Sequence, residues 1–167
     1  MIGGIEVNSE INAFINKYVK EIRNNNAAFF AGAGFSKESG YVDWKTLLEF
    51  IASELGLEVE KEHDLVALAQ YCYNKHQNRG LINDVIFEEF SKQKEPTQNH
   101  RILARLPIGV IWTTNYDDLI EKAFDNVQKI VDVKSRNEHL SNTLANRECI
   151  LYKMHGDKNN PNDAILK

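Results

Sequence analysis

Three short stretches hold the residue types that could do chemistry. The first is Phe29-Phe30-Ala31-Gly32-Ala33-Gly34-Phe35-Ser36. A short apolar run, residues 27–31, breaks there into a small-residue loop where the chain can take positive φ and approach a ligand closely. Ser36 and Ser39 add hydroxyls. A buried strand ending in such a loop, with amides free to point at phosphate, is how open α/β sheets hold nucleotides. The second stretch is Thr113-Thr114-Asn115-Tyr116-Asp117. Its amide and carboxylate suit the hydroxyls of a ribose. The third is His155-Gly156-Asp157. Reaction at a ribose or with water needs a base that is neutral near pH 7, and histidine has an unperturbed pKa of about 6.5. Each stretch also has a structural reading when taken singly. Gly-x-Gly occurs in plain tight turns, Asn115 and Asp117 could cap a following helix, and His155-Gly156 could be a strand-end turn with a solvated histidine.

The elements that must position these residues are legible from periodicity. Ser9 can cap a helix carrying Ile11, Phe14, Ile15, Tyr18, Val19 and Ile22 on one stripe, ended by Asn24-Asn25-Asn26. Residues 27–31 read as a buried strand. Asp43 can cap a helix with Leu47, Leu48, Ile51, Ala52 and Leu55 on one face and Gly56 at its stop. Helices follow from Asp64 to about His76, from Leu81 to Phe90 and from Thr97 to Leu106, the last stopped by Pro107. This helical stretch, about 43–106, is too long for one crossover helix and reads as an insertion between the first and second strands. Gly109 to Thr113, Lys129 to Val133 and Cys149 to Met154 read as strands. Asp117-Asp118 can cap a helix through Phe124, and Asn137 to Ala145 reads as another.

Strands alternating with helices predict an α/β fold with a parallel sheet. In such sheets ligands sit at the carboxyl ends of the strands. All three chemical stretches lie at such ends, so residues distant in sequence can meet there. Only ten or so residues follow the histidine motif, and Asp163 to Lys167 reads as the start of an element. The expectation is an incomplete fragment, the N-terminal portion of a longer chain.

The 167 residues are 43% hydrophobic and 26% charged, enough for one domain with a real core. The net charge of −4, with no Lys/Arg stripe, argues against a nucleic-acid partner. No apolar stretch approaches the length of a membrane span, and the N-terminus lacks the pattern of a secretory signal. Cys72 and Cys149 are too far apart for zinc-type pairs. Two reduced thiols in a cytoplasmic protein are expected.

Gly32-Ala33-Gly34-Phe35-Ser36, Thr114-Asn115-Tyr116-Asp117 and His155-Gly156 resemble, in order and spacing, the three signature blocks of sirtuins: Gly-Ala-Gly-x-Ser, Thr-Gln-Asn-Ile-Asp and His-Gly. The whole chain is more closely similar to the N-terminal sirtuin-like domain of bacterial antiphage effectors, especially the NAD-hydrolysing effectors of Thoeris systems. Residues 26–34, Ile102-Leu103-Ala104-Arg105-Leu106-Pro107 and Tyr152-Lys153-Met154-His155-Gly156-Asp157 carry that likeness. The resemblance implies a Rossmann-like three-layer fold with NAD as substrate, and Asn115 and His155 catalytic. Asn115 would bind the nicotinamide ribose or position water, and His155 would be the base. Ala31, Gly32, Ala33, Gly34, Ser36, Asp43, Thr114 and Asp117 would bind NAD, Asp117 through the nicotinamide carboxamide.

The sirtuin zinc-binding cysteine pairs are absent, so no metal is expected. Thr114 replaces the usual Gln. Gly40-Tyr41-Val42-Asp43-Trp44-Lys45 stands where sirtuins have Gly-Ile-Pro-Asp-Phe-Arg. These departures weaken a protein deacylase and fit hydrolysis of NAD to nicotinamide and ADP-ribose, in antiphage defence; an NAD-dependent deacylase and a non-catalytic nucleotide-binding module are the alternatives. The resemblance further implies a homo-oligomer and a signal nucleotide sensed by a C-terminal domain absent here.

Overall fold

Four strands form one all-parallel sheet in the order β1-β2-β4-β3: β1 Phe29–Ala31, β2 Val110–Thr113, β3 Val131–Lys134 and β4 Cys149–Lys153. The computed structural model describes residues 8–42, 44–58 and 65–160, and every structural statement below is made of these. The expected caps Asp43 and Asp64, and the segment from Pro161 onward, lie outside the described residues.

Alternation along the strands decides what each face meets. On β4, Cys149, Leu151 and Lys153 point into the protein while Ile150 and Tyr152 are only half-buried. The inner face packs Ala31, Ile111, Cys149 and Leu151 against α6 (Gln98–Arg105), α7 (Leu119–Asp125) and Ile22 near the end of α1 (Ser9–Arg23). Ile111, Leu119 and Leu151 are fully buried, each contributing about 1.5–3 kcal/mol. On the outer face Phe30, Trp112 and Tyr152 are in register as one aromatic row, with Trp112 stacked on Tyr152 at 4.2 Å. The third layer is thin. It is α8 (Asn137–Leu140) and the residues after it, which cover Asp132 and Lys134.

Between β1 and β2 run α2 (Ala33–Lys37), α3 (Trp44–Leu55), α4 (Leu65–His76), α5 (Gly80–Phe90) and α6. Helices α3, α4 and α5 build their own core from Leu48, Ile51, Leu68, Cys72, Ile82 and Ile86, which Tyr116 and Leu119 join to the end of the sheet. Gly56, at φ +71°, closes α3 in the left-handed region that favours glycine. Thr97 and His100 form a reciprocal capping box on α6, and Leu106 turns extended before Pro107. Both cysteines are free and buried, and burial pushes the Cys149 thiol up to about 12. No helix among the described residues is long and apolar enough to cross a membrane.

Several local expectations need correction. The cap of α1 is Asn8, whose side chain accepts from the Glu10 amide, not Ser9. Of the apolar stripe on α1 only Ile22 is buried, and Phe14 is 66% exposed. Periodicity reports that a face is apolar, not that something covers it. Strand β1 begins at Phe29, and Phe30 is 61% exposed, so the run is not buried on both faces. The helix expected over 137–145 stops at Leu140. Beyond it the backbone turns to serve the sheet: Asn142 O accepts from Lys134 Nζ, and Leu144 N donates to Asp132 Oδ2 at 3.1 Å.

Candidate active site

The sheet register brings the three chemical stretches together. Ala31, Thr113 and Lys153 are partners across β1, β2 and β4 and are the last residue of each strand. Gly32, Thr114 and Met154 therefore leave the sheet side by side, and neighbouring strands are only about 4.8 Å apart. Hydrogen bonds fix the row. Thr113 Oγ1 donates to Ala31 O at 2.9 Å, and Met154 N donates to Thr113 O at 2.8 Å.

Asn115 ties the second loop to the first. Its Nδ2 donates to Gly32 O at 3.1 Å and to Ser36 Oγ at 2.9 Å, and its own amide donates to Thr113 Oγ1 at 3.0 Å. Both side-chain N–H groups are thereby engaged, which leaves Oδ1 as the atom that can serve a ligand. Asp117 is divided in a similar way. Its Oδ1 accepts from Leu119 N, the first amide of α7, at 3.1 Å, while Asp118 at the N-cap position makes no side-chain cap bond. Its Oδ2 is buried with no hydrogen-bond partner among the described residues. An orphaned buried acceptor costs about 1–3 kcal/mol, so this oxygen waits for a donor.

These groups face one cavity of about 210 Å³, lined by Ala33, Ser36, Thr114, Asn115, Asp117 and His155 on the polar side and by Tyr41, Val42, Leu47, Phe90 and Tyr116 on the apolar side. Three ring contacts run from the wall to the histidine: Tyr41–Phe90 at 5.2 Å, Phe90–Tyr116 at 5.5 Å and Tyr116–His155 at 6.4 Å. The wall is held from the helical stretch. Tyr41 Oη donates to Lys92 O at 2.9 Å, Val42 N donates to Glu89 Oε1 at 3.3 Å, and Lys94 Nζ donates to Gly40 O at 2.8 Å. Burial holds His155 below the ordinary histidine pKa, so the ring is neutral at pH 7. Burial, with help from Asp117, raises the Tyr41 hydroxyl, and burial raises that of Tyr116; both stay protonated donors.

The glycine loop works differently from the expectation. Neither Gly32 nor Gly34 has positive φ, and Gly32 sits at φ −100°. A Cβ at either position would meet nothing within 4 Å. What the glycines provide is open space over bare backbone, not an unusual backbone conformation. The positive φ belongs to Gly156, at +95° directly after His155.

Among the residues singled out from the sequence, Ala33, Ser36, Thr114, Asn115, Asp117 and His155 line the cavity. Gly32, at the N-cap of α2, and Gly34, in its first turn, are not among the lining residues. Ala31 is 1% exposed inside β1 and its carbonyl is taken by Thr113 Oγ1. Asp43 lies outside the described residues. Among the described residues no group of three or more His, Cys, Asp or Glu could hold a metal ion.

Residues 109–167, which carry the second and third stretches, match the family described as SIR2-like domain. Similar proteins extend the match over the glycine loop. The NAD(+) hydrolase ThsA of Bacillus cereus (strain MSX-D12) is 52% identical over 163 residues, 97% of this chain and 34% of that protein. The NAD(+) hydrolase ThsA of Acinetobacter baumannii (strain 532279) is 51% identical over 152 residues, 91% of this chain and 32% of that protein. Defense-associated sirtuin 2 of Bacillus subtilis is 33% identical over 149 residues, 86% of this chain and 14% of that protein. The chain spans about a third of the length of the hydrolases it matches.

Two features of this site escaped the sequence reading. The apolar wall comes from Leu47 and Phe90, which read as ordinary helix core, and from Tyr41, Val42 and Tyr116, which lay inside matched stretches but were given no binding role. Lys153 is the other, a charged residue on the inward face of an apolar strand. Its side chain is 0% exposed, with Nζ 3.0 Å from Glu121 Oε1 and 2.5 Å from Asp157 Oδ2. Burial opposes its charge, but Glu121 and Asp157 outweigh that and hold the ammonium above the ordinary lysine pKa. The alternation of buried positions along β4 was the signal that could have found it.

Proposed function

We propose that this chain is the catalytic part of an NAD glycohydrolase that yields nicotinamide and ADP-ribose. The observation that carries the reading is the orphaned Asp117 Oδ2, placed with Asn115 and a neutral His155 around one half-apolar cavity. A cavity of about 210 Å³ suits one end of a dinucleotide, not the whole. Nicotinamide fits its chemistry: a flat ring for the aromatic wall and a carboxamide N–H for Asp117 Oδ2. The names of the two hydrolase relatives point the same way.

In this reading the pyrophosphate lies over the open backbone of Gly32 and Gly34, where no side chain intrudes. The bond between ribose C1′ and the nicotinamide nitrogen breaks, and its electron pair neutralises the ring's positive charge, so no strong general acid is needed. A water oxygen bonds to C1′, and its proton passes to His155 and then to solvent. Asn115 Oδ1 orients the ribose or that water. The site's task is to stabilise positive charge on the ribose and exclude other acceptors.

The relative named a defense-associated sirtuin supports a role in defence, and the sirtuin-like resemblance makes that defence antiphage. The sirtuin-like resemblance adds a homo-oligomer in the cytoplasm and a signal nucleotide sensed outside these residues, as parts of the same proposal. The test is nicotinamide release from NAD by the intact protein with no peptide added. His155→Gln is expected to lower kcat by ~10²–10⁴-fold while NAD still binds. Release that requires an acylated peptide would replace this reading with a deacylase, and binding without turnover would replace it with a nucleotide-binding module.

A further inference from the structure

We propose that Lys153 is a positioning residue: its ammonium clamps the loop that carries Asn115 and Asp117 to the strand end that carries His155. The role for the site rests on the function proposed above; the clamp itself does not.

The geometry is specific. Lys153 Nζ donates to Asp117 O at 2.7 Å and Tyr116 O at 3.2 Å, and meets Asp157 Oδ2 at 2.5 Å and Glu121 Oε1 at 3.0 Å. Two acceptors are carboxylates and two are backbone carbonyls. The carboxylates balance the buried charge. The carbonyls do something else: they set where the loop lies. Tyr116 follows Asn115 directly, and His155 is two residues past Lys153, so one ammonium spans the short path between the two chemical groups. Met154 N to Thr113 O is the last bond between β2 and the chain leaving β4 at this end, and the Lys153 side chain carries the connection on into the loops. Lys158 N adds a second tie to Tyr116 O at 3.1 Å. A packing role alone would be served by an apolar residue in this slot, beside Leu151 and Cys149 on the same inward face. A displacement of about 1 Å between reacting groups can cost ~10²-fold in rate.

Lys153→Met alone strands two carboxylates, and removing both carboxylates strands the buried ammonium, so thermal unfolding of each variant is measured first to show that it is folded. The test therefore compares Glu121→Gln/Asp157→Asn, which keeps the lysine, with the same pair plus Lys153→Met. In both, the Asp157→Asn change retains a side-chain oxygen for the Asn159 amide, whose hydrogen bond Asp157 Oδ1 now accepts. Hydrogen exchange is measured on the peptide covering residues 114–118, with β2 and α7 as internal standards. NAD turnover by the intact protein is measured alongside. Adding Lys153→Met is expected to speed exchange in the loop at least ~10-fold, with the standards unmoved. It is also expected to lower kcat by ~10–100-fold and, because the loop carries Asp117, to raise KM as well. Loop exchange and kcat equal to those of the paired variant would overturn the proposal, since the lysine would then be only a charge partner. So would a loop already freed in the paired variant, since the carboxylates would then be the clamp. If the wild type releases no nicotinamide, the proposed function fails by itself, and the exchange comparison still decides the clamp.

Discussion

Asp117→Asn separates a cap from a binding group within one side chain. The carboxylate has one oxygen on the Leu119 amide and the other buried without a partner. Asparagine keeps an oxygen for the cap and puts an NH₂ where the orphaned acceptor was. If that acceptor meets the carboxamide N–H of nicotinamide, the variant loses a hydrogen bond to a charged group, about 1.5–3 kcal/mol. At 1.4 kcal/mol per factor of ten, NAD affinity falls roughly 10- to 150-fold. Stability should not fall, because an unpartnered buried carboxylate oxygen, itself a cost of about 1–3 kcal/mol, is replaced by an uncharged group. Asp117→Ala is the contrast. It should show the same loss of affinity and, in addition, a loss of stability near 1 kcal/mol as the cap disappears. Affinity is measured by calorimetry on a His155→Gln background, so that turnover does not consume the ligand, and stability by thermal unfolding. Unchanged affinity in Asp117→Asn would mean that the residue is only a cap, and the assignment of the cavity to nicotinamide would go with it.

Gly34→Ala should raise stability by about 0.5–1 kcal/mol, since the position is helical and a Cβ there meets nothing within 4 Å, yet raise the KM for NAD at least ~10-fold; denaturant melts and steady-state kinetics read the two opposite signs. For pH, burial lowers the pKa of His155, so kcat/KM should be flat above pH 6.5 and fall on acidification with a midpoint below 6.5, a profile lost in His155→Gln. Stability should follow the same sign. His100 and His155 are both depressed by burial, so below the unfolded value of about 6.5 the unfolded chain binds protons that the native state refuses; the contribution is complete above that pH and lost as pH falls through the folded values, which urea melts between pH 5 and 8 would show.

Much of the architecture was readable because strand signals were strong. Gly109 to Thr113 and Cys149 to Met154 are β-branched, aromatic runs with clear ends, and the parallel pairing placed their last residues in one row as expected. The placement of Asn115, Asp117 and His155 followed from that. What was not readable depended on partners distant in sequence. The stripe on α1 is apolar by period, but no sequence pattern says whether a neighbour covers it. The wall of the cavity is built in part by Leu47 and Phe90, whose local patterns match ordinary core. The division of labour in Asn115 was also hidden: its amide nitrogen holds the glycine loop, so Asn115→Ala disturbs architecture and chemistry together, and loss of activity in it would not separate them.

The strand order has a bearing on synthesis. β4 is the last strand in sequence among those described but lies between β2 and β3, and β2 and β3 do not pair with each other. Until β4 emerges from the ribosome, both have an open edge and the inner face has no continuous floor. β1 can pair with β2 earlier, after the long closure that brings residue 29 to residue 111. A growing chain therefore can carry the glycine loop and Asn115 in place while His155 is still inside the exit tunnel. The insertion of one central strand completes the sheet and brings His155 to the cavity in the same event, so a shorter nascent chain lacks part of the cavity lining.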